Sequence, residues 1–469
     1  MKDKKIVILG GGFSGLWLGA QLIQRGYDIN VLEKEEEVGG LLRSQALNEF
    51  NLDIGPHIYF PSHRRYYEKF LDKPLRQVSA FYGFAYRNRQ IRSPITPRNL
   101  YKALPIKDTF FFGSSFLLGR LRFFRPNANF HSAEEWAVRQ YGRLAYRGFF
   151  QDYIPKVTGM SADRVSHEWG TERARFYKQH NLFKKSFRIV KQAFQKSGGQ
   201  NAPLDLYYAP FGSQRIAQGL SRFIKENGGT VRTGALIKRI ELDGNRAVKY
   251  LVSNQDGREQ EVRGDYYINT MPITELIKMI HTAPPVALDA ANALKFRHLH
   301  CLYSVIRRHN LMDKMQIYFP EKKYIFKRVY EDPSFLFAPA GRTAVCAEVC
   351  YNPGDALGQS EGKETGPLVR EQLCSFYKVQ KKEFIDESSL DAPFAYAVYE
   401  RGYLERLKTI AEFLYGIDSL VSFGRSGLFR YNFLTDLIID AAGTVVQYVE
   451  SNQGKHDFLK GADPKGDFF

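Results

Sequence analysis

Six residues, Gly10-Gly11-Gly12-Phe13-Ser14-Gly15, constrain this chain more than any others because of what flanks them. Ile6-Val7-Ile8-Leu9 is an apolar run suited to a buried parallel strand, although a run that short does not by itself separate strand from buried helix. A helical spacing follows through Leu18, Leu22 and Ile23, and Gly26-Tyr27-Asp28 closes it. Ile29-Asn30-Val31-Leu32 then reads as a second strand with Glu33 at its end. The unit is βαβ. Gly10 serves the tight turn, Gly12 lets backbone approach a pyrophosphate, and Gly15 lets helix pack on strand. The first helical turn aims free N–H groups and the positive end of its dipole at the phosphates. Glu33, at the end of the second strand, suits a ribose hydroxyl pair and would repel a 2′-phosphate. Alone, G-x-G-x-x-G is a Gly-rich turn; strand, helix, second strand and terminal acid in order make it a dinucleotide site.

The continuation narrows the dinucleotide. Glu33-Lys34 runs into Val38-Gly39-Gly40-Leu41-Leu42-Arg43-Ser44 and then Asp53-Ile54-Gly55-Pro56-His57. This resembles the second signature of the FAD-binding family that includes flavin amine oxidases, protoporphyrinogen oxidases, carotenoid desaturases and UDP-galactopyranose mutases. The resemblance implies FAD, with the Gly-Gly turn and the following arginine beside its pyrophosphate and ribityl chain. The cofactor-binding set it implies comprises Gly10, Gly12, Phe13, Ser14, Gly15, Glu33, Lys34, Gly39, Gly40, Leu41, Leu42, Arg43, Gly55, Pro56 and His57. Later segments add Ile237, Thr270, Gly424, Arg425, Tyr431 and Asn432, the backbone around Ala235–Ile237 corresponding to the family's adenine contact.

A chain of 469 residues exceeds one compact core, and 44 % hydrophobic with 25 % charged residues is ordinary globular material. The net charge of +17 favours anionic partners such as nucleotide sugars, carboxylates or acidic lipid surfaces. The basic residues are dispersed and form no nucleic-acid module, so nucleic acid is set aside. Cys301, Cys346, Cys350 and Cys374 are too few for a disulfide framework and show no metal spacing; Cys346 and Cys350 share a strand face and are expected to pack. The first strand begins almost at once, from which no signal peptide and a reducing, cytoplasmic setting are expected.

The expected fold class is α/β: a Rossmann-type FAD-binding domain interleaved with a mixed-sheet substrate domain and a helical insertion. The segments are 1–75 (FAD domain), 76–98 (substrate-domain strands), 99–200 (helical insertion), 201–275 (FAD domain), 276–410 (substrate domain) and 411–469 (closing FAD segment). Within the insertion, Ser132-Ala133-Glu134-Glu135 reads as a capping box. Strands are expected at Ser304–Arg308, Gln316–Phe319, Tyr324–Tyr330, Thr343–Tyr351 and Leu420–Phe423, with helices at Leu368–Tyr377 and Leu434–Val449. Phe110–Gly119, followed by Arg120 and Arg122, is the most apolar stretch but falls short of a membrane span. A buried helix lining the cavity, or a contact in a homo-oligomer, is the first expectation for it; a peripheral membrane contact through 110–125 is the second.

Three residues are candidates for the chemistry. His57 resembles the histidine of the mutases' Gly-x-His-x-Phe-His segment, whose second histidine is Phe60 here; a proton relay, a hydrogen bond to flavin and a structural bond are its readings. Gly424-Arg425-Ser426-Gly427-Leu428-Phe429-Arg430-Tyr431 is similar to the mutases' Gly-Arg-x-x-x-Tyr-Arg-Tyr run, which implies Arg425 against the flavin and Tyr431 facing substrate phosphate. The mutases' following Asp-Met is absent. Lys327-Arg328-Val329-Tyr330-Glu331 is similar to their Thr-Arg-x-x-Glu strand, making Arg328 a candidate anchor for a diphosphate or, alternatively, a rim ion-pair partner. Trp169, Arg173 and Arg175 stand near a family aromatic–arginine pair, with solvated arginines the first expectation. The leading function is FAD-dependent hydride removal from an unidentified small molecule. A mutase-like non-redox flavoenzyme acting on a nucleotide-linked sugar is the alternative, and an FAD-holding membrane-tethered protein without turnover is the third.

Overall fold

A computed structural model describes residues 4–80, 82–93, 97–122, 130–172, 204–244, 247–253, 257–312, 315–332, 341–355, 357, 365–431, 435–451, 453–458 and 466. The first strand, Lys5–Leu9, has Ile6, Val7 and Ile8 fully buried, which is why its sequence is an unbroken apolar run rather than an alternation. Asp28–Leu32 pairs with it on one side and Tyr266–Asn269 on the other, and Thr230–Arg232 and Leu420–Ser422 form the edges. All four pairings are parallel, so three widely separated stretches of chain build one sheet. Helix Phe13–Ile23 makes the crossover and packs against helices Gln214–Glu226 and Thr435–Ser451. An antiparallel meander, Leu236–Asp243, Ala247–Ser253 and Glu259–Val262, branches off. Its first hairpin turns at Gly244, φ +61°.

The second layer is a seven-stranded sheet in the order Phe384–Val398, Lys295–Ile306, Thr343–Tyr351, Arg328–Glu331, Gln316–Tyr318, Tyr82–Tyr86, Arg89–Arg92. Its pairings are antiparallel except that of Gln316–Tyr318 with Tyr82–Tyr86. Thr343–Tyr351 is central, and Cys346 and Cys350 pack there as free, buried thiols. Two sequence expectations need correction. The strand expected at Ser304–Arg308 runs from Lys295 to Ile306, and the one expected at Tyr324–Tyr330 is confined to Arg328–Glu331. Phe384–Val398 carries Pro393 and three acids, Asp386, Glu387 and Asp391; an edge strand paired on one side only accommodates them.

Helices Pro97–Ala103, Ile106–Arg122, Ala133–Tyr141, Arg143–Phe149 and Tyr153–Thr158 form the insertion. Lys156 ties it to the sheet by donating from Nζ to the carbonyls of Phe319 and Glu321 at 2.7 and 2.8 Å. The capping box is offset: Ser132 Oγ accepts from Glu135 N–H at 3.2 Å, but the Glu135 carboxylate accepts from His131 N–H at 2.9 Å rather than from Ser132. The expectation that the apolar run is buried fails at its start, where Phe110 is 71 % and Phe111 56 % exposed. Three consecutive helical residues fan through about 200°, and only Phe112 turns inward, onto Tyr86 and Phe149. Among the described residues no helix is long and apolar enough to cross a membrane.

Candidate active site

Residues just past the carboxyl ends of the parallel strands (Gly10, Glu33, Ala235, Thr270, Arg425) line a cavity of about 620 Å³. The glycines divide the work. Gly10 has φ +109°, and a Cβ there would stand 2.7 Å from Thr270 Oγ1. A Cβ on Gly15 would stand 2.2 Å from the Gly10 carbonyl oxygen, so only glycine lets the helix lie on the turn. A Cβ on Gly12 would meet nothing nearer than Gly40 Cα at 3.9 Å and would enter the cavity. Glu33 fixes the loop, its two oxygens accepting from Gly11 N–H at 2.7 Å and Glu35 N–H at 3.0 Å. Gly39 N–H donates to Gly11 O at 2.9 Å, clamping the second signature on the first. Arg43 Nε donates to Gly40 O at 3.2 Å.

Of the residues singled out in sequence, Phe13, Ser14, Lys34, Gly39, Gly40, Leu41, Leu42, Arg43, Gly55, Pro56, His57, Ile237, Thr270, Arg425, Arg328 and Tyr431 line this same cavity with Gly10, Gly12 and Glu33. Gly15 and Gly424 stand behind the wall. A Cβ on Gly424 would lie 2.4 Å from Ser14 Oγ, so the closing segment presses directly on the first helix. Asn432, Arg173 and Arg175 lie outside the described residues. Trp169 is buried, edge-on to Tyr431 with centroids 6.3 Å apart.

The opposite wall is charged and aromatic. Lys327 Nζ lies 2.9 Å from Glu348, and Arg328 forks onto the same carboxylate while its Nη1 donates to Gln316 at 3.1 Å. Burial alone would lower the Lys327 ammonium, but the Glu348 carboxylate holds it well above the ordinary lysine range. Burial likewise opposes the Glu348 carboxylate, yet Arg328 and Lys327 hold it below its ordinary value. Lys327 also donates to Tyr396 Oη at 2.6 Å and sits 4.1 Å from that ring. Tyr396 stacks on Tyr431 at 5.1 Å, and burial pushes its phenol up to about 12, so it stays protonated. Burial, aided by Arg425 and Arg328, lowers the His57 imidazole to about 4 although its Nε2 bonds the Leu41 carbonyl at 2.9 Å; the ring is therefore neutral near pH 7.

Comparison with known proteins fits this geometry. The sequence profile of the flavin-containing amine oxidoreductases matches residues 13–402. The chain belongs to that family. It is 20 % identical over 380 residues to 4,4'-diaponeurosporene oxygenase of Staphylococcus aureus, covering 72 % of each chain. In structure it resembles reduced UDP-galactopyranose mutase (TM-score 0.75, 20 % identity, 100 % of both chains). It also resembles cyclohexylamine oxidase of Brevibacterium oxydans (TM-score 0.61, 13 % identity, 96 % of this chain and 100 % of that one). The flavin-containing amine oxidoreductase is an FAD-dependent oxidoreductase of mixed α/β fold.

The residues present suit FAD: Gly12 leaves the space beside the helix N-terminus that a diphosphate needs, and the buried Glu33 lines the same cavity. What the sequence did not reveal in this flavoenzyme is the set of residues that surround Arg328 in the cavity wall. Tyr396, Glu348, Gln316 and Tyr318 come from three strands, and only the sheet order joins them. Phe394, at φ +55°, marks a bulge opposite His298 that pushes Pro393, Phe394 and Ala395 into the cavity wall; an Ala-Pro-Phe-Ala run in a strand was its one sequence signal.

Proposed function

We propose that this flavoenzyme oxidises a C–N or C–C bond of a small substrate bearing an anionic group by taking hydride from a C–H bond on its carbon, and that Lys327, Arg328 and Tyr396 receive that group. The observation that carries the reading is charge: two cations share one carboxylate in the buried wall, leaving one positive charge in surplus where water is scarce. FAD supplies, when bound, a hydride acceptor at N5 that oxygen or another acceptor reoxidises. The substrate loses hydride from carbon and a proton from the neighbouring nitrogen or carbon, leaving a C=N or C=C bond.

The side chains have distinct parts in this reading. Tyr431 and Tyr396 form a stacked floor for an apolar body. Arg425, donating from Nη2 to Ala395 O at 2.8 Å, holds the closing segment beside the flavin. His57, neutral and donating from Nε2, offers Nδ1 as an acceptor and orients its neighbours rather than shuttling protons near pH 7. The glycine and Glu33 segments, with Ile237 and Thr270, grip the nucleotide end, within the interleaved division at residues 75, 98, 200, 275 and 410.

The test is anaerobic. Purified protein carrying FAD is titrated with amines and unsaturable compounds, each with or without a carboxylate or phosphate. Bleaching of the flavin by the anionic member of a pair, weakened in Arg328→Lys, is expected; equal bleaching by both members would end the anionic-substrate reading. The mutase alternative is supported by the Gly424–Tyr431 run and opposed by the missing Asp-Met. It wins if UDP or TDP protects against heat and the reduced protein interconverts sugar ring forms without consuming an oxidant. A tether without turnover is left if neither chemistry occurs while FAD stays bound.

A further inference from the structure

We propose that the outward face of helices Pro97–Ala103 and Ile106–Arg122 docks on an anionic bilayer leaflet, whichever substrate the flavin oxidises. Tyr101, Ile106, Phe110 and Phe111 are 60, 71, 71 and 56 % exposed, and all four come from these two consecutive helices. Ile106 and Phe110 are one turn apart, so they share a helix face, and the Phe110 and Phe111 rings meet edge-on at 6.2 Å. A cluster of large apolar side chains left in water marks an interaction surface.

Charge names the occupant. Between residues 82 and 122 stand eight Lys and Arg against one acid, Asp108, and that acid is paired with Arg87 at 2.9 Å. Lys102 and Lys107, on the same two helices, are exposed, as are Arg143 and Arg147 on the helix behind. A second copy of this chain would oppose this basic face to itself in a two-fold contact and be repelled, more so with +17 on each chain. Anionic headgroups attract it, with aromatic rings at the acyl boundary and the lysine stems reaching outward. The face is also anchored to the active site. Phe112 packs on Phe149, Phe149 on Phe84, and Phe84 stacks on Tyr318 of the cavity wall at 5.6 Å.

The experiment is flotation of the FAD-loaded full chain with phosphatidylcholine vesicles, with and without phosphatidylglycerol, in low and high salt. The wild type is expected to float with phosphatidylglycerol vesicles, less in high salt and little with phosphatidylcholine alone. In Phe110→Glu/Phe111→Glu, partitioning should fall by at least roughly a hundredfold, the weight of two buried Phe side chains. The variant's retained flavin absorbance shows that its fold is intact and separates loss of docking from loss of the cofactor site. Wild type that stays down with anionic vesicles, equal flotation on neutral ones, or a variant that floats like wild type each overturns the proposal. So does a wild-type dimer in sedimentation that the double variant dissolves, which would give the face to a second copy.

Discussion

Replacing Gly12 by alanine should separate folding from cofactor binding. Gly12 has φ −75° and ψ 177°, open to any L-residue, and the added methyl would stand 3.9 Å from its nearest neighbour. The apo-protein should therefore be unchanged, or gain about 0.4–1 kcal/mol through a less flexible unfolded chain. The methyl instead occupies the approach of the FAD diphosphate to the helix N-terminus. Losing two charge-assisted hydrogen bonds at about 1.5 kcal/mol each weakens FAD roughly a hundredfold. At an FAD concentration about one hundred times the wild-type Kd, wild type gains about 2.7 kcal/mol and the variant about 0.4. For a chain this long that removes roughly 2 °C of FAD-dependent Tm. Thermal melts with and without FAD, together with quenching of flavin fluorescence, measure both halves. Gly15→Ala is the contrast: its Cβ falls 2.2 Å from the Gly10 carbonyl oxygen, so its apo-protein should already melt lower. A yellow Gly12→Ala protein with wild-type FAD affinity, or a Gly15→Ala protein as stable as wild type, would refute the reasoning.

Glu348→Gln leaves Lys327 and Arg328 buried without their shared carboxylate and should cost about 3–5 kcal/mol in urea unfolding at pH 7. Because the Glu348 carboxylate is held below its ordinary value of 4.5, its stabilisation is complete above that pH, and the gap between the two proteins should narrow on further acidification. Tyr396→Phe removes the 2.6 Å partner of Lys327 and should cost about 1–3 kcal/mol in the same assay. His57, lowered from 6.5 to about 4, favours the fold above pH 6.5 and progressively less toward pH 4, a loss of up to roughly 3 kcal/mol. His57→Gln should flatten stability across that window; an unchanged slope would show that His57 is charged in the folded protein.

The glycine turn and its βαβ unit were legible because their physics is local. Gly10, Gly12 and Gly15 act through backbone geometry within six residues, and the apolar run before them and Glu33 after them complete a self-contained unit. The strand Thr343–Tyr351 was equally plain, a run of small and apolar residues broken only by Glu348 and buried on both faces. Of the charged and aromatic wall, Arg328 and Tyr431 were legible and the rest was not. Tyr396 and Lys327 lie 69 residues apart and meet only because strands from distant segments interleave in one sheet. The long edge strand hid behind Pro393 and its acids, since a strand paired on one side is free of the patterning that betrays a central one. The apolar run at Phe110 misled for the opposite reason: composition counts rings without saying which way a helix turns them.

Leu420–Ser422 is an edge of the parallel sheet, and Gly424 immediately after it presses on Ser14. The last tenth of the chain thus finishes a socket begun in the first. During synthesis the amino-terminal βαβ unit must wait, unsealed, until some four hundred residues more have left the ribosome. Such long-range closure makes maturation slow.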